Sequence, residues 1–430
     1  MILDEQDESM QAVAQNLNFP TSATMDDKGT LYVAESGVPF DGAPGGGVVS
    51  RVNADGSLER LRGELRYPVN GLVYHDGWLY ISEGGYPGRI SRVSPVTGEW
   101  QTVVDNLPGF GNYHTNMCAV GPDGKLYFSQ GAMTNSGVIG LDSHDIGWLR
   151  KVPHNHDIPG YDITLAGYNH ETVHPEAEDG RNVRTGAFVP FGTPTEPGQR
   201  IQGKVPCTSG VMRCDPDGSG LELVAWGLRN AYGLGFLPDG RLIVTEQGSD
   251  DRGSRPIVNC PDLLYEIRQG AWYGWPDFIG GVPVTDARFR DGSGRVAGFL
   301  LANHEELPAP ELPLLEFELN SSAVKFAVVP PAVPACAGHL IVAMFGDEGA
   351  LTGAAAGVGR KLVRVDPADW SVYSTREMPF RRPIDVVFTP CGSACYVVDF
   401  GVFEITPEKG VAARAGSGCL WKISPEFMEV

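Results

Sequence analysis

Basic charge is scarce in this 430-residue chain: 33 Lys and Arg stand against 53 Asp and Glu, a formal net charge of −20. A surface of that sign repels phosphate backbones, which excludes nucleic acid as a partner. No apolar run reaches the roughly 20 residues that a membrane-spanning helix needs, so no membrane insertion is expected. Residues 1–20 (MILDEQDESMQAVAQNLNFP) lack the basic start and apolar run of a secretory signal. The expectation is a cytoplasmic protein, or a periplasmic or secreted one if a leader precedes the chain. Nor do the eight cysteines show close zinc spacing. Cys391 with Cys395, and Cys207 with Cys214, could pair in an oxidising compartment and are expected as free thiols in a reducing one.

What is abundant is turn chemistry. Glycine at 56 and proline at 33, with only 20% charged residues, describe a loop-rich chain with apolar content enough for a core. Six segments repeat one pattern of apolar run, turn and second apolar run: FPTSATMDDKGTLYVAESG, YPVNGLVYHDGWLYISEGG, HTNMCAVGPDGKLYFSQGA, RNAYGLGFLPDGRLIVTEQG, SSAVKFAVV with GHLIVAMFGDEG, and RPIDVVFTPCGSACYVVDFG. Each reads as a β-hairpin, with Asp-Gly supplying positive-φ turn residues and LYV, LYI, LIV and YVV supplying strand formers. The second strands begin at Leu31, Leu79, Leu126, Leu242, Leu340 and Cys395, at spacings of 48, 47, 116, 98 and 55 residues. The base period is that of a propeller blade. A third strand follows each hairpin, and most have a fourth. If MQAVAQNL is the outer strand of the last blade, the termini close the ring and leave no open edge. The predicted fold is therefore all-β, a six-bladed β-propeller over 1–430 as one domain, closed by an N-terminal strand joining the C-terminal blade. Two long loop inserts interrupt it, about 134–204 and 277–315, both of a length usually functional or disordered.

The first insert contains HETVH, His170 to His174, the His-Glu-x-x-His pattern of a zinc-protease helix. Pro175 disfavours helical geometry at His174 and removes an amide that would bond back to Glu171. A protease helix is not expected here, and His154 and His156 nearby read as ordinary loop histidines.

In a propeller, residues at equal offsets from each hairpin turn converge on one rim of the central channel. Counting back from the turns puts Asn70, His114, Arg229 with Asn230, Ser322, and Arg381 with Arg382 at inner-strand starts. Counting forward puts Glu35, Glu83, Gln130, Glu246 with Gln247, Asp347 and Asp399 at second-strand ends. An imidazole can take a proton from an alcohol near neutral pH, and a fixed guanidinium can stabilise developing oxyanion charge.

The runs GLRNAYGLGFLPDGRLIVTEQG, PDLLYEIRQG, AWYGWPDF and HTNMCAVGPDGKLYFSQG resemble the soluble quinoprotein glucose/sorbosone dehydrogenases, six-bladed propellers that bind pyrroloquinoline quinone (PQQ) and calcium at the channel mouth. The resemblance runs from about Pro20 to Ser424, least in the inserts. It implies PQQ- and calcium-dependent oxidation of an aldose or related polyol, with His114 as general base while hydride passes to the quinone. It further implies Arg229 beside the reacting carbonyl, Asn230, Gln247 and Asp262 as cofactor contacts, and the backbone carbonyls of Gly248 and Ser249 as calcium ligands. Arg381 or Arg382 would hold a PQQ carboxylate, with Lys325 taking part. The implied partners are a small sugar-like substrate and an external electron acceptor. The chain departs from the family where Asp-Glu-Leu-Asn reads PDLLY, where Ser249 stands for proline, and where SDDRGSRPIVNC lengthens a loop. A second reading is a metal-dependent hydrolase or lyase acting on a lactone or sugar acid, with Glu35, Glu83, Asp347 or Asp399 as ligands. A third is a binding propeller without catalysis.

Overall fold

The computed structural model describes residues 10–347, 358–406 and 410–428. Six sheets of at least four strands succeed one another along the chain, and each of the six hairpins read in the sequence forms the inner pair of one. The second strands are Leu31–Glu35, Trp78–Glu83, Leu126–Gln130, Leu242–Glu246, Leu340–Met344 and Cys395–Asp399. Five begin where expected, and the other one residue earlier. At the turns Gly77 and Gly124 adopt φ of 79° and 77°, left-handed values a side chain rarely takes, with open space around them.

Ring closure follows the expected pairing. The strand Met10–Leu17 runs antiparallel to Gly418–Ile423, from Met10 opposite Ile423 to Leu17 opposite Gly418, and completes the sixth blade. Ala14 and Leu17 drop into an apolar cluster with Phe19, Val397, Leu420 and Ile423, so chain ends far apart in sequence share one core. Further apolar clusters fill the wedges between neighbouring blades. At the hub the inner strands crowd together. A Cβ on Gly233 would lie 2.5 Å from the Val324 carbonyl oxygen, which is why the inner strand of the fourth blade carries glycine there. Side chains also tie inner strands across blades: Thr21 Oγ1 donates to the Val69 carbonyl at 2.7 Å and Asn70 Nδ2 to the Thr115 carbonyl at 3.1 Å.

Both inserts are more than loops. The first lies between the second and third strands of the third blade and holds two short helices, Leu141–Asp145 and Trp148–Lys151. It also holds the strand pairs Ile163–Thr164 with Arg200–Ile201 and His170–Val173 with Asn182–Thr185. HETVH is thus not helical, as its proline foretold: His170–Val173 is a β-strand, and the two histidines do not share a helical face. The second insert lies between the last two strands of the fourth blade and packs on the first, with Leu165 bridged to Leu301. Its anchor is Asp277, fully buried, which accepts from the backbone N–H of Leu300 and Leu301 and pairs with Arg255 at 2.9 Å. Burial of this side chain is tolerated because two backbone N–H groups and Arg255 donate to it. Together the inserts form a cap beside the channel mouth.

All eight cysteines are free thiols; Cys391 is exposed, while Cys395, Cys207 and Cys214 are buried. Among the described residues no helix is long and apolar enough to cross a membrane.

Candidate functional site

A cavity of about 860 Å³ opens at one end of the hub, and His114, Arg229, Gln247, Gly248, Ser249 and Asp262 all line it. A smaller chamber of about 260 Å³ continues inward along the channel, walled by Asn70, Asn116, Asn230 and Tyr232 on its polar side. His114, Gln247 and Ser322 border both chambers and so mark the boundary between them.

The backbone explains why the imidazole and the guanidinium line one cavity. The segment after Gln130 runs between the loops that lead into the third and fourth blades: Gly131 N–H donates to the His114 carbonyl at 2.9 Å, and Ala132 N–H to the Arg229 carbonyl at 2.7 Å. Acids that end second strands hold the loops that lead into their own blades. Glu246 accepts the N–H of Arg229 and Asn230, Glu35 that of Asn18, Glu83 that of Arg66, and Asp399 those of Arg381 and Arg382. These carboxylates are therefore brackets, on four of the six blades. They do not converge, and among the described residues no group of three or more His, Cys, Asp or Glu is placed to hold a metal. The ligand set expected for a metal-dependent hydrolase is accordingly not brought together.

His114 is enclosed by the Phe110 ring, 6.3 Å between centroids, and by Gly84, where any Cβ would lie 2.5 Å from the His114 Cβ. Burial pushes its imidazole down to about 4, the Gly84 backbone opposing. The ring is neutral at physiological pH, and its Nδ1 has no hydrogen-bond partner of normal geometry. Arg229, 3% exposed, donates from Nε to the Asn135 carbonyl at 3.0 Å, from Nη2 to Asp250 at 2.8 Å, and from Nη1 to the Gln247 carbonyl at 3.1 Å. Asn230 joins the wall of the inner chamber, its Nδ2 donating to Gln247 Oε1 at 2.6 Å, and Gln247 in turn donates to Ser322.

Asp262 accepts the Gly248 N–H at 3.0 Å and the Ala323 N–H at 2.7 Å, and burial raises its carboxyl to about 6. Gly248 is pressed so closely on the next turn that a Cβ would sit 2.6 Å from the Cys260 carbonyl oxygen. The Gly248 and Ser249 carbonyls accept no hydrogen bond from the described residues, so two residues of the cavity lining keep uncommitted hard oxygens.

Besides Asn230, which lines only the inner chamber, three expected cofactor contacts are not on that wall. Lys325 sits deep in the hub, where Nζ donates to the Thr21 and Asn70 carbonyls and lies 3.7 Å from Asp385, so it ties inner strands together. Arg382 is 1% exposed and spends its guanidinium on the carbonyls of Phe403, Phe345 and Asp347 and on Glu404. It builds the wall from behind. Arg381 is exposed and its side chain turns to the Ser417 carbonyl at 3.1 Å. Residues the sequence reading missed stand around Arg229 instead: Tyr113, whose ring centre lies 4.4 Å from the guanidinium carbon, Asn135, Asp250 and Arg252. The available signal was the acidic and basic alternation in the lengthened loop SDDRG.

Fold and rim cavity together define a six-bladed propeller with a functional pocket at one channel mouth. Solved structures of that architecture include the PQQ-bound aldose sugar dehydrogenase of Streptomyces coelicolor, with 16% identity over 96% of this chain and 96% of that one at a TM-score of 0.56. They also include the holo PQQ domain of pyranose dehydrogenase from Coprinopsis cinerea, with 14% identity over 96% and 95% and a TM-score of 0.57. Likeness at that identity shows the shared fold. No protein-family model matches the chain, and no curated protein does.

Proposed function

We propose that this chain is a PQQ- and calcium-dependent dehydrogenase that oxidises an aldose or related polyol. The observation that carries the reading is that a neutral, half-buried imidazole, the Arg229 guanidinium and two main-chain carbonyls that accept no hydrogen bond from the described residues belong to residues lining one cavity. Its fold is also that of PQQ-bound sugar dehydrogenases.

The residues present fit such a cofactor, with one change from expectation. The Gly248 and Ser249 carbonyls, beside Asp262, would hold calcium, and Arg229 with Gln247 would border the quinone. The cations left to meet its carboxylates are Lys151 and Arg290, cavity-lining residues of the two inserts that form no ion pair among the described residues. When bound, a calcium-polarised quinone supplies the hydride acceptor. His114 would take the substrate hydroxyl proton, since an imidazole already neutral at the working pH needs no prior deprotonation. Arg229 would meet negative charge developing on oxygen, and the apolar rings of Phe110 and Trp148 would exclude water from the reacting face.

The test is to add PQQ and calcium chloride to the purified chain. The expected result is a stoichiometric bound-quinone absorbance together with dye-linked oxidation of aldoses. A chain that takes up no quinone under these conditions does not have this function.

A further inference from the structure

The side chains around Arg229 form a charge chain that reaches into the cap. Asp250 contacts Arg229 Nη2 at 2.8 Å and Arg252 Nε at 3.0 Å. Arg252 then donates to Asp142 Oδ2 at 2.7 Å and to the Tyr113 hydroxyl at 2.8 Å. Asp142 belongs to the helix Leu141–Asp145 of the first insert. Asn135 stitches the same parts together, accepting from Arg229 and from the Asp250 N–H and donating to the Asp250 and Arg252 carbonyls. The members are largely withdrawn from water, with side-chain exposures of 3% for Arg229, 23% for Asp250, 10% for Arg252 and 9% for Asp142. Charges alternate along the chain, so each group is neutralised by its neighbours. Pairs so enclosed hold orientation far better than exposed ion pairs do.

The geometry also leaves Arg229 with something to offer. A guanidinium has five N–H groups. Four have partners here, on Asn135, Asp250 and Gln247, and the remaining Nη1 proton has none among the described residues. We propose that Asp250, Arg252 and Asp142 are positioning residues that aim the Arg229 guanidinium into the cavity, making the seating of the cap a condition for a competent reaction centre. The proposal rests on the reading of Arg229 as the cation beside the reacting group.

Asp250→Asn, Asp142→Asn, their double variant and Asp250→Glu test it, each checked for folding by far-UV circular dichroism and titrated with PQQ in calcium chloride by absorbance. Misaiming the guanidinium is expected to lower kcat of Asp250→Asn by about ten- to a hundredfold, while quinone affinity and substrate KM move by less than about threefold. Asp142→Asn, at the far end of the chain, is expected to lower kcat by a smaller factor, Asp250→Glu to recover part of the loss, and the double variant to be no worse than Asp250→Asn alone, because both cut one chain. A kcat within about twofold of wild type for a folded Asp250→Asn, or effects of Asp142 and Asp250 that multiply, overturns the positioning role. If wild type itself takes up no quinone, the functional reading falls and this role falls with it; if wild type is active and only the variants behave as wild type, the positioning role alone falls.

Discussion

The cavity has two unlike walls. The wall from the third and fourth blades presents His114, Arg229, Gln247 and the Gly248–Ser249 carbonyls to the open space. On the sixth blade, residues at matching offsets were expected to do the same, yet Arg382 lies behind the surface and Arg381 points away from it. Equal register brings a backbone to the rim, but it does not decide where the side chain goes. On the sixth blade three carbonyls and Glu404 surround the arginine and satisfy its donors from within. On the third blade the imidazole lines the cavity, its Nδ1 turned inward toward the Gly84 backbone. One wall is therefore built to face a ligand and the other to hold itself together.

Variants of each wall can break or sharpen this contrast. His114→Ala should have the largest effect, lowering kcat/KM by about 10² to 10⁴ in a dye-linked assay with quinone uptake retained, the range for loss of a general base. A loss below about tenfold would put the base elsewhere. In the wild type the acid limb of kcat/KM should lie near 4, where the buried imidazole gains its proton, instead of near the ordinary 6.5. The sign for stability is the same: the folded value is the lower one, so stability from this group is complete above 6.5 and is lost as pH falls toward 4. Thermal midpoints of wild type and His114→Ala should converge across that window.

Arg382→Met should come next, and in a different currency. It strands three carbonyls, while Glu404 keeps Arg360 at 2.9 Å, and the expected cost is about 1–3 kcal/mol of unfolding free energy in urea, as for buried acceptors left unpaired, with quinone affinity per folded molecule unchanged. A selective loss of quinone affinity would return Arg382 to the ligand wall. Gly248→Ala should raise the calcium concentration for half-maximal quinone uptake by about tenfold, because its Cβ would displace the carbonyl corner. Smallest of all, Arg381→Ala should change stability by less than about 0.5 kcal/mol and leave quinone uptake as it was.

The blades were legible because their signals are local. Asp-Gly turns, alternating β-branched and aromatic runs, and the MQAVAQNL strand each declare themselves within ten residues, and repetition multiplies them. HETVH was legible for the same reason, since Pro175 acts on its immediate neighbours. The placement of His114 and Arg229 on one rim followed from the offset rule. Lys325, expected only from the resemblance, lies deeper on its inner strand than Ser322 and reaches carbonyls of other blades instead of the mouth. The hairpin Phe403–Thr406 with Gly410–Ala413, which contributes Phe403 to the cavity wall, carries no repeat signal and was not foreseen. Nor was the cap: its order depends on Asp277 and Arg255 meeting across the fourth blade and the second insert, and no spacing in the chain announces that meeting.

Left to itself, the chain determines strands, turns, blade number and the closing partner of its first strand, because backbone geometry and the alternation of apolar residues act over a few positions. Which polar side chains face the cavity was settled only in the folded ring. There, each buried donor is claimed by whatever acceptor comes closest, and for Arg229, Lys325 and Arg382 those acceptors include groups from other blades and from the inserts.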